Sequence, residues 1–239
     1  MKLNTRSLQV IAFDLDDTLY PEAQFARGGF RAVAAWADRV LGISEPIGLA
    51  ELQSYFDAGI RGKIFDLWIE ERGLPPESWV PVMIEVYRNH IPRIGMYPGA
   101  RECLVRRRAA GFQIGLVTEG YARIQNAKIE ALQLGELIDV AVISDENSRG
   151  EWKPSSRPFQ RLVEATRAAP ERVLYVGDNP AKDFLGARDL GLATVRMRCV
   201  GGLHFSEEPN SARDAPDWEV ADFSELEELL GEGGPNAGH

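Results

Sequence analysis

Two aspartates directly follow an apolar run near the start of the chain. The run covers residues 8–13, and Asp14 and Asp16 come next. A short apolar run is typical of a buried strand, and α/β sheets commonly carry site residues at the carboxyl ends of their parallel strands. Two carboxylates placed there repel each other, and a hard cation such as Mg²⁺ relieves that repulsion. An acidic turn is the alternative, because Asp is also common in turns.

A hydroxyl, a lysine and a second pair of acids follow later in the chain. Thr118 ends an apolar strand candidate, and Lys153 precedes a proline, which biases it toward an extended backbone. Residues 173–176 lead through a glycine to Asp178, with Asp183 further on. The chain therefore carries acid pair, hydroxyl, lysine and acid pair in that order.

This order resembles the motifs of the haloacid dehalogenase (HAD) superfamily, and more narrowly its phosphatase-type members. The resemblance covers roughly residues 8–200, and each of the family's motifs has a match. It implies an α/β fold with a Rossmann-like parallel sheet, helices on both faces and an inserted helical cap domain. It also implies a Mg²⁺ cofactor and phosphoryl transfer through an aspartyl-phosphate.

The resemblance implies a role for each matching residue. Asp14 is the expected nucleophile, and Asp16 is the expected general acid and base, which also ligates the metal through its backbone carbonyl. Thr118 is expected to donate a hydrogen bond to a phosphoryl oxygen, although threonine is also a common helix N-cap. Lys153 is expected to neutralise charge on the nucleophile and phosphoryl group, and Asp178 to ligate Mg²⁺ together with Asp14.

Other polar residues near these motifs are expected to play lesser roles. Asp183 is expected to ligate the metal through water or to position the catalytic lysine. Glu119 departs from the family, where Asn or Asp is more common, and an ionised glutamate cannot donate a hydrogen bond. Asp17 is expected to be a solvated turn residue, and Lys128 and Lys182 lie at less suitable points for the catalytic lysine.

Strand and helix candidates alternate through most of the chain, which predicts a parallel sheet covered on both faces. The strand candidates are residues 8–13, 113–118, 140–144, 173–176 and 193–197. The helix candidates are residues 100–110, 121–132, 157–167 and 180–189. A capping box at 224–227, beginning with Ser224, predicts a last helix that ends near residue 230.

Residues 21–97 break this alternation with helical patterns and no convincing strand. The sequence therefore predicts a helical cap over 21–97, a catalytic core of residues 1–20 and 98–230, and a flexible tail over 231–239. Arg61 and Lys63 lie in a glycine-flanked basic loop of this insert and are candidates for substrate specificity. The alternatives are a solvated basic turn and an extra helical layer that does not move.

Composition limits the setting and the partners. The chain has 239 residues, 44% hydrophobic residues and a formal net charge of −9, which argues against binding nucleic acid or anionic membranes. Two cysteines and three scattered histidines give no zinc signature or disulfide framework. A cytoplasmic protein without a membrane span is expected, and the sequence leaves its oligomeric state open.

The leading prediction is a Mg²⁺-dependent phosphatase acting on a small phosphorylated metabolite. A phosphomutase would keep the same core residues and stays open, as does a non-catalytic binding module on this fold. A dehalogenase needs neither metal nor a second acid, so Asp16 and Asp178 argue against it. A phosphonate hydrolase would need a cap lysine, and Lys63 is the only lysine in residues 21–97.

Overall fold

The computed structural model describes residue 3 and residues 5–145 and 150–235. The described residues form two compact units. One unit comprises the chain up to Glu22 and from Ile94 onward, and the other comprises Ala23–Arg93. The assignment of the second unit as a cap stays a prediction.

The first unit is built on a six-stranded parallel sheet in the order β3-β2-β1-β4-β5-β6. The strands are β1 (Val10–Phe13), β2 (Gln113–Glu119), β3 (Val140–Ser144), β4 (Val173–Gly177), β5 (Ala193–Met197) and β6 (Trp218–Val220). The chain moves outward from β1 in one direction through β2 and β3, then returns to the other side of β1 with β4. This reversal is the topological switch point of an open α/β sheet, where such folds place their ligand sites.

Both faces of the sheet are covered, which confirms the predicted α/β class. Val10 and Ala12 belong to a buried cluster on one face, whereas Ile11 and Phe13 alternate with them and point to the other. All four side chains are fully buried. A strand that is apolar on both sides is what a parallel sheet between helical layers requires.

The helices of this unit are α5 (Ala100–Ala109), α6 (Ala122–Ala131), α7 (Arg157–Thr166), α8 (Leu185–Asp189) and α9 (Phe223–Leu230). Gly115 of β2 allows α7 to approach the sheet closely. A Cβ atom at this position would lie 2.8 Å from Leu162 Cδ1 and 3.0 Å from Ala12 Cβ. A larger residue here would force α7 away from β2.

Three sequence predictions about this unit are wrong in detail. The short strand β6 was not predicted, and α8 begins at Leu185 rather than at residue 180. The N-cap of α9 is Asp222 rather than Ser224, because the Asp222 carboxylate accepts from the backbone N–H groups of Ser224 at 2.8 Å and Glu225 at 3.0 Å. Two of the otherwise unpaired N–H groups at the start of the helix are satisfied in this way.

Part of the predicted flexible tail runs beside α5. Arg107 Nη1 donates to the Gly231 carbonyl at 2.6 Å. A Cβ atom at Gly234 would lie 2.4 Å from the Ala110 carbonyl oxygen. Residues 236–239 of the predicted tail lie outside the described residues.

The second unit contains the helices α1 (Glu22–Leu41), which starts one residue before it, α2 (Glu45–Asp57), α3 (Ile64–Glu70) and α4 (Pro76–Arg88). No strand occurs in its residues 23–93, all of which the structure describes. Aromatic rings fill its interior, with Phe30 packed against the rings of Phe56, Phe65 and Tyr87. The lack of a side chain at Gly29 makes room for the Tyr87 ring, because a Cβ atom at this position would lie 2.3 Å from that ring.

None of the described helices combines the length and apolar character needed to cross a membrane.

Candidate active site

The carboxyl ends of β1 and β4 bring together residues that are far apart in the sequence. Phe13, the last residue of β1, pairs with Val176 of β4, so Asp14 and Asp178 emerge from neighbouring strands. Phe13 also pairs with Leu116 of β2, two residues before Thr118. Parallel strands end at the same edge of the sheet, and the predicted site residues of three strands therefore converge there.

Lys153 joins two of the predicted carboxylates. Its Nζ lies 2.6 Å from Asp14 Oδ1 and 2.6 Å from Asp183 Oδ1, and it donates to the Tyr175 hydroxyl at 3.0 Å. The side chains of Lys153, Asp14 and Asp183 are all buried. A buried ammonium requires such partners, because desolvation penalises an unpaired charge strongly.

Asp183 holds the loop after β4 in place. Its Oδ2 accepts from the backbone N–H groups of Asp178 at 3.1 Å and Asn179 at 2.8 Å, while its Oδ1 is bound to Lys153. This folded loop is the reason that α8 starts later than the sequence predicts. Asp183 therefore connects the lysine to the backbone that presents Asp178.

Three carboxylates at this edge could hold a metal ion. Oxygen atoms of Asp14, Asp178 and Asp183 all lie within 4.8 Å of one another. Asp178 Oδ2 is buried and has no hydrogen-bond partner among the described residues. Buried carboxylate oxygens are the donors that a hard divalent cation prefers, and an unpaired one is costly without such a ligand. The donor set therefore fits Mg²⁺.

The pKa values of the three carboxyl groups also indicate that the cluster lacks positive charge. Burial raises the pKa of Asp14 to about 7, with Lys153 acting in the opposite direction. Burial also raises the pKa of Asp178 well above its usual range, and the charges of Asp183 and Asp14 add to this effect. Burial acts on Asp183 too, but Lys153 and Lys182 outweigh it, so the pKa of Asp183 lies below its usual range. Two lysines thus act on a cluster of three carboxylates that still needs further cationic charge.

Asp16 points to a separate group of side chains. Lys128 Nζ lies 2.7 Å from Asp16 Oδ1 and 2.9 Å from Oδ2, Gln125 Nε2 donates to Oδ2 at 3.0 Å, and the Tyr20 hydroxyl donates to Oδ1. Burial raises the pKa of Asp16, but the charge and hydrogen bond of Lys128 outweigh it, and the net pKa is lowered.

Thr118 lies beside this group and is buried. Its Oγ1 accepts from Gln125 Nε2 at 2.5 Å. Because the hydroxyl accepts this bond, its own proton can be donated to another oxygen. The role of Thr118 toward a phosphoryl group stays a prediction, but the hydroxyl is available for it.

A family model for haloacid dehalogenase-like hydrolases matches residues 8–191. The chain belongs to this family. Every motif residue predicted for its core, from Asp14 to Asp183, falls in the matched segment.

Curated relatives of this HAD-like hydrolase carry the names of phosphatases. The chain is 32% identical over 232 residues to a glyceraldehyde 3-phosphate phosphatase of Methanopyrus kandleri, covering 94% of this chain and 98% of that protein. It is 33% identical over 171 residues to the pyrimidine 5'-nucleotidase YjjG of Escherichia coli, covering 70% of this chain and 69% of that protein.

A solved structure shares the fold. The putative HAD-hydrolase YfnB of Bacillus subtilis, bound to magnesium, matches with a TM-score of 0.68 and 20% identity, covering 93% of this chain and 98% of that one.

The residue that departs from the family pattern, Glu119, has a clear place in this HAD-like hydrolase. Its Oε2 accepts from the backbone N–H of Lys153 at 3.1 Å, and its Oε1 accepts from Lys182 Nζ at 2.7 Å. Glu119 therefore links the end of β2 to the lysine loop and to the loop after β4. It acts here as an acceptor, which an ionised glutamate does well.

Asp17 is not solvated, contrary to the prediction. It is 2% exposed, and it accepts from the backbone N–H groups of Glu22 at 2.8 Å and Leu203 at 2.7 Å. Arg196, which is also buried, donates from Nε to the Asp178 carbonyl at 3.0 Å. The Leu203 bond attaches the segment after β5 to the end of β1, and the Arg196 bond attaches β5 itself to the end of β4.

The two basic residues proposed for specificity lie in the second unit, and both are exposed. The Arg61 guanidinium donates to the Phe56 carbonyl at 2.6 Å and lies 3.9 Å from the centre of the Phe56 ring. Much of its hydrogen-bonding capacity is therefore used within its own turn. Lys63 immediately precedes α3. Whether either residue recognises substrate stays a prediction.

Sequence reasoning did not identify Lys128, Gln125, Tyr20 or Tyr175 as parts of the site. Lys128 was set aside as unsuitably placed, yet it is buried and paired with Asp16. The available signal was the spacing of Gln125 and Lys128, since residues three apart lie on one helix face. Two polar side chains on the inner face of a core helix require partners.

Proposed function

We propose that the chain is a Mg²⁺-dependent phosphatase that hydrolyses a small phosphorylated metabolite through an aspartyl-phosphate on Asp14. The observation that carries the proposal is the cluster of Asp14, Asp178 and Asp183, in which Lys153 bridges two of the carboxylates and a buried oxygen of Asp178 has no hydrogen-bond partner in the part of the chain that the structure describes. Phosphatase names among the relatives support the substrate class.

In this proposal Asp14 attacks phosphorus. Lys153 fixes its Oδ1, which leaves Oδ2 to form the new bond to phosphorus as the bond to the ester oxygen breaks. Thr118 can donate its hydroxyl proton to a phosphoryl oxygen, and the Lys153 ammonium offsets charge on the attacking carboxylate. The ester oxygen leaves with a proton, for which Asp16 is the proposed donor.

The second step returns Asp14 to its starting state. A water molecule attacks phosphorus, the bond between phosphorus and Asp14 breaks, and inorganic phosphate leaves. Asp16 accepts the proton from the attacking water, so that the acid of the first step is the base of the second. The contacts that lower the pKa of Asp16 favour its ionised form, which is the form the second step uses, so the first step requires that Asp16 hold a proton when the ester bond breaks.

Asp14, Asp178 and the Asp16 backbone carbonyl are the proposed direct metal ligands. The carboxylate of Asp183 lies close enough to join them or to bind through water. Mg²⁺ at this point would screen the repulsion between a carboxylate nucleophile and a phosphate dianion.

The remaining features complete the proposal. Residues 21–97 act as the cap, with Arg61 and Lys63 as candidate contacts to the organic part of the substrate. Both cysteines are free and buried, which fits a reducing cytoplasmic setting. No nucleic-acid partner is proposed, in keeping with the acidic net charge of −9.

The test is phosphate release from a panel of phosphomonoesters that includes triose phosphates, phosphoserine and pyrimidine nucleotides. Wild type is compared with Asp14→Asn, each with Mg²⁺ and with chelator, and with the exposed-site variant Asp38→Asn as the control. Release that needs both Mg²⁺ and Asp14 supports the proposal. Transfer of phosphate within a sugar phosphate without release would instead identify a mutase. No turnover of any panel member would favour the non-catalytic binding module.

A further inference from the structure

Both oxygens of Asp16 are held by side chains that do not come from the tip of β1. Lys128 contributes contacts of 2.7 and 2.9 Å, Gln125 contributes one of 3.0 Å, and Tyr20 donates its hydroxyl proton. A carboxylate oriented by this many donors has little freedom to rotate. The position of Asp16 is therefore decided largely by α6.

Lys128 and Gln125 are unusual for helix residues of their types. They are 5% and 2% exposed, and they are three residues apart on α6. Lysine is rarely buried without a partner, and Asp16 is the carboxylate to which the structure pairs it. The burial of Lys128 is therefore explained by Asp16.

The Gln125 amide connects two functional groups directly. Its Nε2 donates to Thr118 Oγ1 at 2.5 Å and to Asp16 Oδ2 at 3.0 Å. A carboxylate requires a donor opposite it, which fixes the orientation of the amide. One NH₂ group thus sets the distance between the proposed phosphate-binding hydroxyl and the proposed acid.

We propose that Lys128 and Gln125 are positioning residues that place the Asp16 carboxyl at the ester oxygen of the substrate and hold it at a fixed distance from the Thr118 hydroxyl. The inference rests on the proposed function, which assigns proton transfer to Asp16. It adds that the orientation of the acid is set from α6 by two side chains that contact Asp16 and to which no contact with the substrate is assigned.

The inference predicts a dependence on the leaving group. An alkyl oxygen leaves phosphorus poorly unless it is protonated, whereas p-nitrophenolate leaves without much help. A misplaced acid should therefore slow cleavage of an alkyl phosphate far more than cleavage of p-nitrophenyl phosphate. General damage to the fold would slow both alike.

The experiment measures single-turnover release of the leaving group from glycerol 3-phosphate and p-nitrophenyl phosphate in Mg²⁺. For Lys128→Met we expect a loss of about 100-fold on the alkyl ester and below about tenfold on the aryl ester, since positioned proton transfer is worth roughly 10²–10⁴ in rate. Gln125→Met should show the same preference with a smaller loss. Asp16→Asn provides the reference pattern.

Matched controls separate positioning from packing. Asn126→Ala and Glu130→Gln change exposed residues of the same helix and should leave both rates unchanged. Lys128→Arg keeps a cation and should recover part of the alkyl-ester rate. If Lys128→Met does not fold, as judged by its urea midpoint, Lys128→Arg and Gln125→Met carry the comparison.

Each outcome is decisive. Equal losses on the two esters, or no loss, would overturn the positioning role while leaving the phosphatase proposal intact. Wild type that releases no leaving group from these two esters or from any member of the phosphomonoester panel would overturn the proposed function and this inference together. If wild type is active but Asp16→Asn slows both esters equally, Asp16 is not the acid, and the positioning role of α6 falls with that assignment.

Discussion

Asp178→Asn is expected to stabilise the metal-free protein although it removes a proposed metal ligand. Asp178 is buried beside Asp14 and Asp183, and one of its oxygens has no partner among the described residues. Its pKa is raised by burial first and by the two neighbouring carboxylates next. Replacing it with a neutral amide of the same shape removes the buried charge and places a donor among acceptors.

The separations give the size of the effect. At 4.8 Å, the upper limit within the cluster, one pair of like charges repels by about 3.5 kcal/mol at an effective dielectric constant of about 20. Asp178 has two such neighbours, and the Lys153 ammonium offsets about one of them. We therefore expect Asp178→Asn to raise the free energy of unfolding in chelator by about 2–4 kcal/mol near pH 8.

The gain should shrink in acid, and the sign follows from the raised pKa. A carboxyl whose pKa is raised in the folded state loses stability as the pH rises from the unfolded value of 3.8 through the folded pKa. Near pH 5 the wild type can protonate Asp178 at a cost of about 1.6 kcal/mol, at 1.36 kcal/mol per pH unit. The advantage of the variant cannot exceed about that amount there.

Urea denaturation in chelator and in Mg²⁺ measures these differences, with Asp38→Asn as a variant that changes an exposed aspartate of α1. Mg²⁺ should stabilise the wild type and the Asp38 variant, and it should have much less effect on Asp178→Asn. An Asp178→Asn protein that is less stable than wild type in chelator near pH 8 would refute the reasoning.

Three further predictions concern the residues that support the site. Arg107→Met should lower the free energy of unfolding by about 3 kcal/mol, because it leaves Glu227 without its buried partner. The Arg106 side chain is 63% exposed, so Arg106→Met should cost less than about 1 kcal/mol. Equal costs for the two variants in urea denaturation would contradict this prediction. Gly115→Ala should cost about 1–3 kcal/mol, because its Cβ would lie 2.8 Å from a carbon of α7, and an unchanged melting temperature would speak against that close packing. Glu119→Gln offers one acceptor to two donors, so the free energy of unfolding should fall by about 1–3 kcal/mol and kcat/KM should fall as the lysine loop loses its link to β2. A urea midpoint and steady-state kinetics equal to wild type would exclude the linking role.

The sequence predicted the sheet well because apolar runs followed by polar residues mark buried strands clearly. Strand β3 matches the prediction completely, whereas β1 starts two residues later than expected. β6 was missed because Trp218–Val220 is only three residues long and gives no periodic signal. The start of α8 was misplaced because the carboxylate of Asp183 folds the preceding loop, which a local pattern cannot show.

The site was predictable where one motif residue lies at the end of one strand. Asp14 and Asp178 directly follow the ends of neighbouring strands and meet as predicted. Lys153 and Asp183 join them from the loops after β3 and β4, and the catalytic roles of all four stay predictions. Lys128 was not predictable in this way, because its contact with Asp16 depends on which face of α6 turns toward β1. A lysine on a helix is usually solvated. The spacing from Gln125 places both residues on one helix face, but only the packing of α6 shows that this face is buried.

The central claim is that Asp14 carries the phosphoryl group between the two steps. The most direct measurement is mass spectrometry of acid-quenched Asp16→Asn protein after reaction with p-nitrophenyl phosphate in Mg²⁺. This leaving group needs little protonation, so the first step should still proceed, while loss of the base should slow hydrolysis and let the intermediate accumulate. The account predicts one added phosphoryl group on the peptide that contains Asp14, and none in Asp14→Asn. A phosphoryl group on another residue, or phosphate release by Asp14→Asn at the wild-type rate, would contradict it.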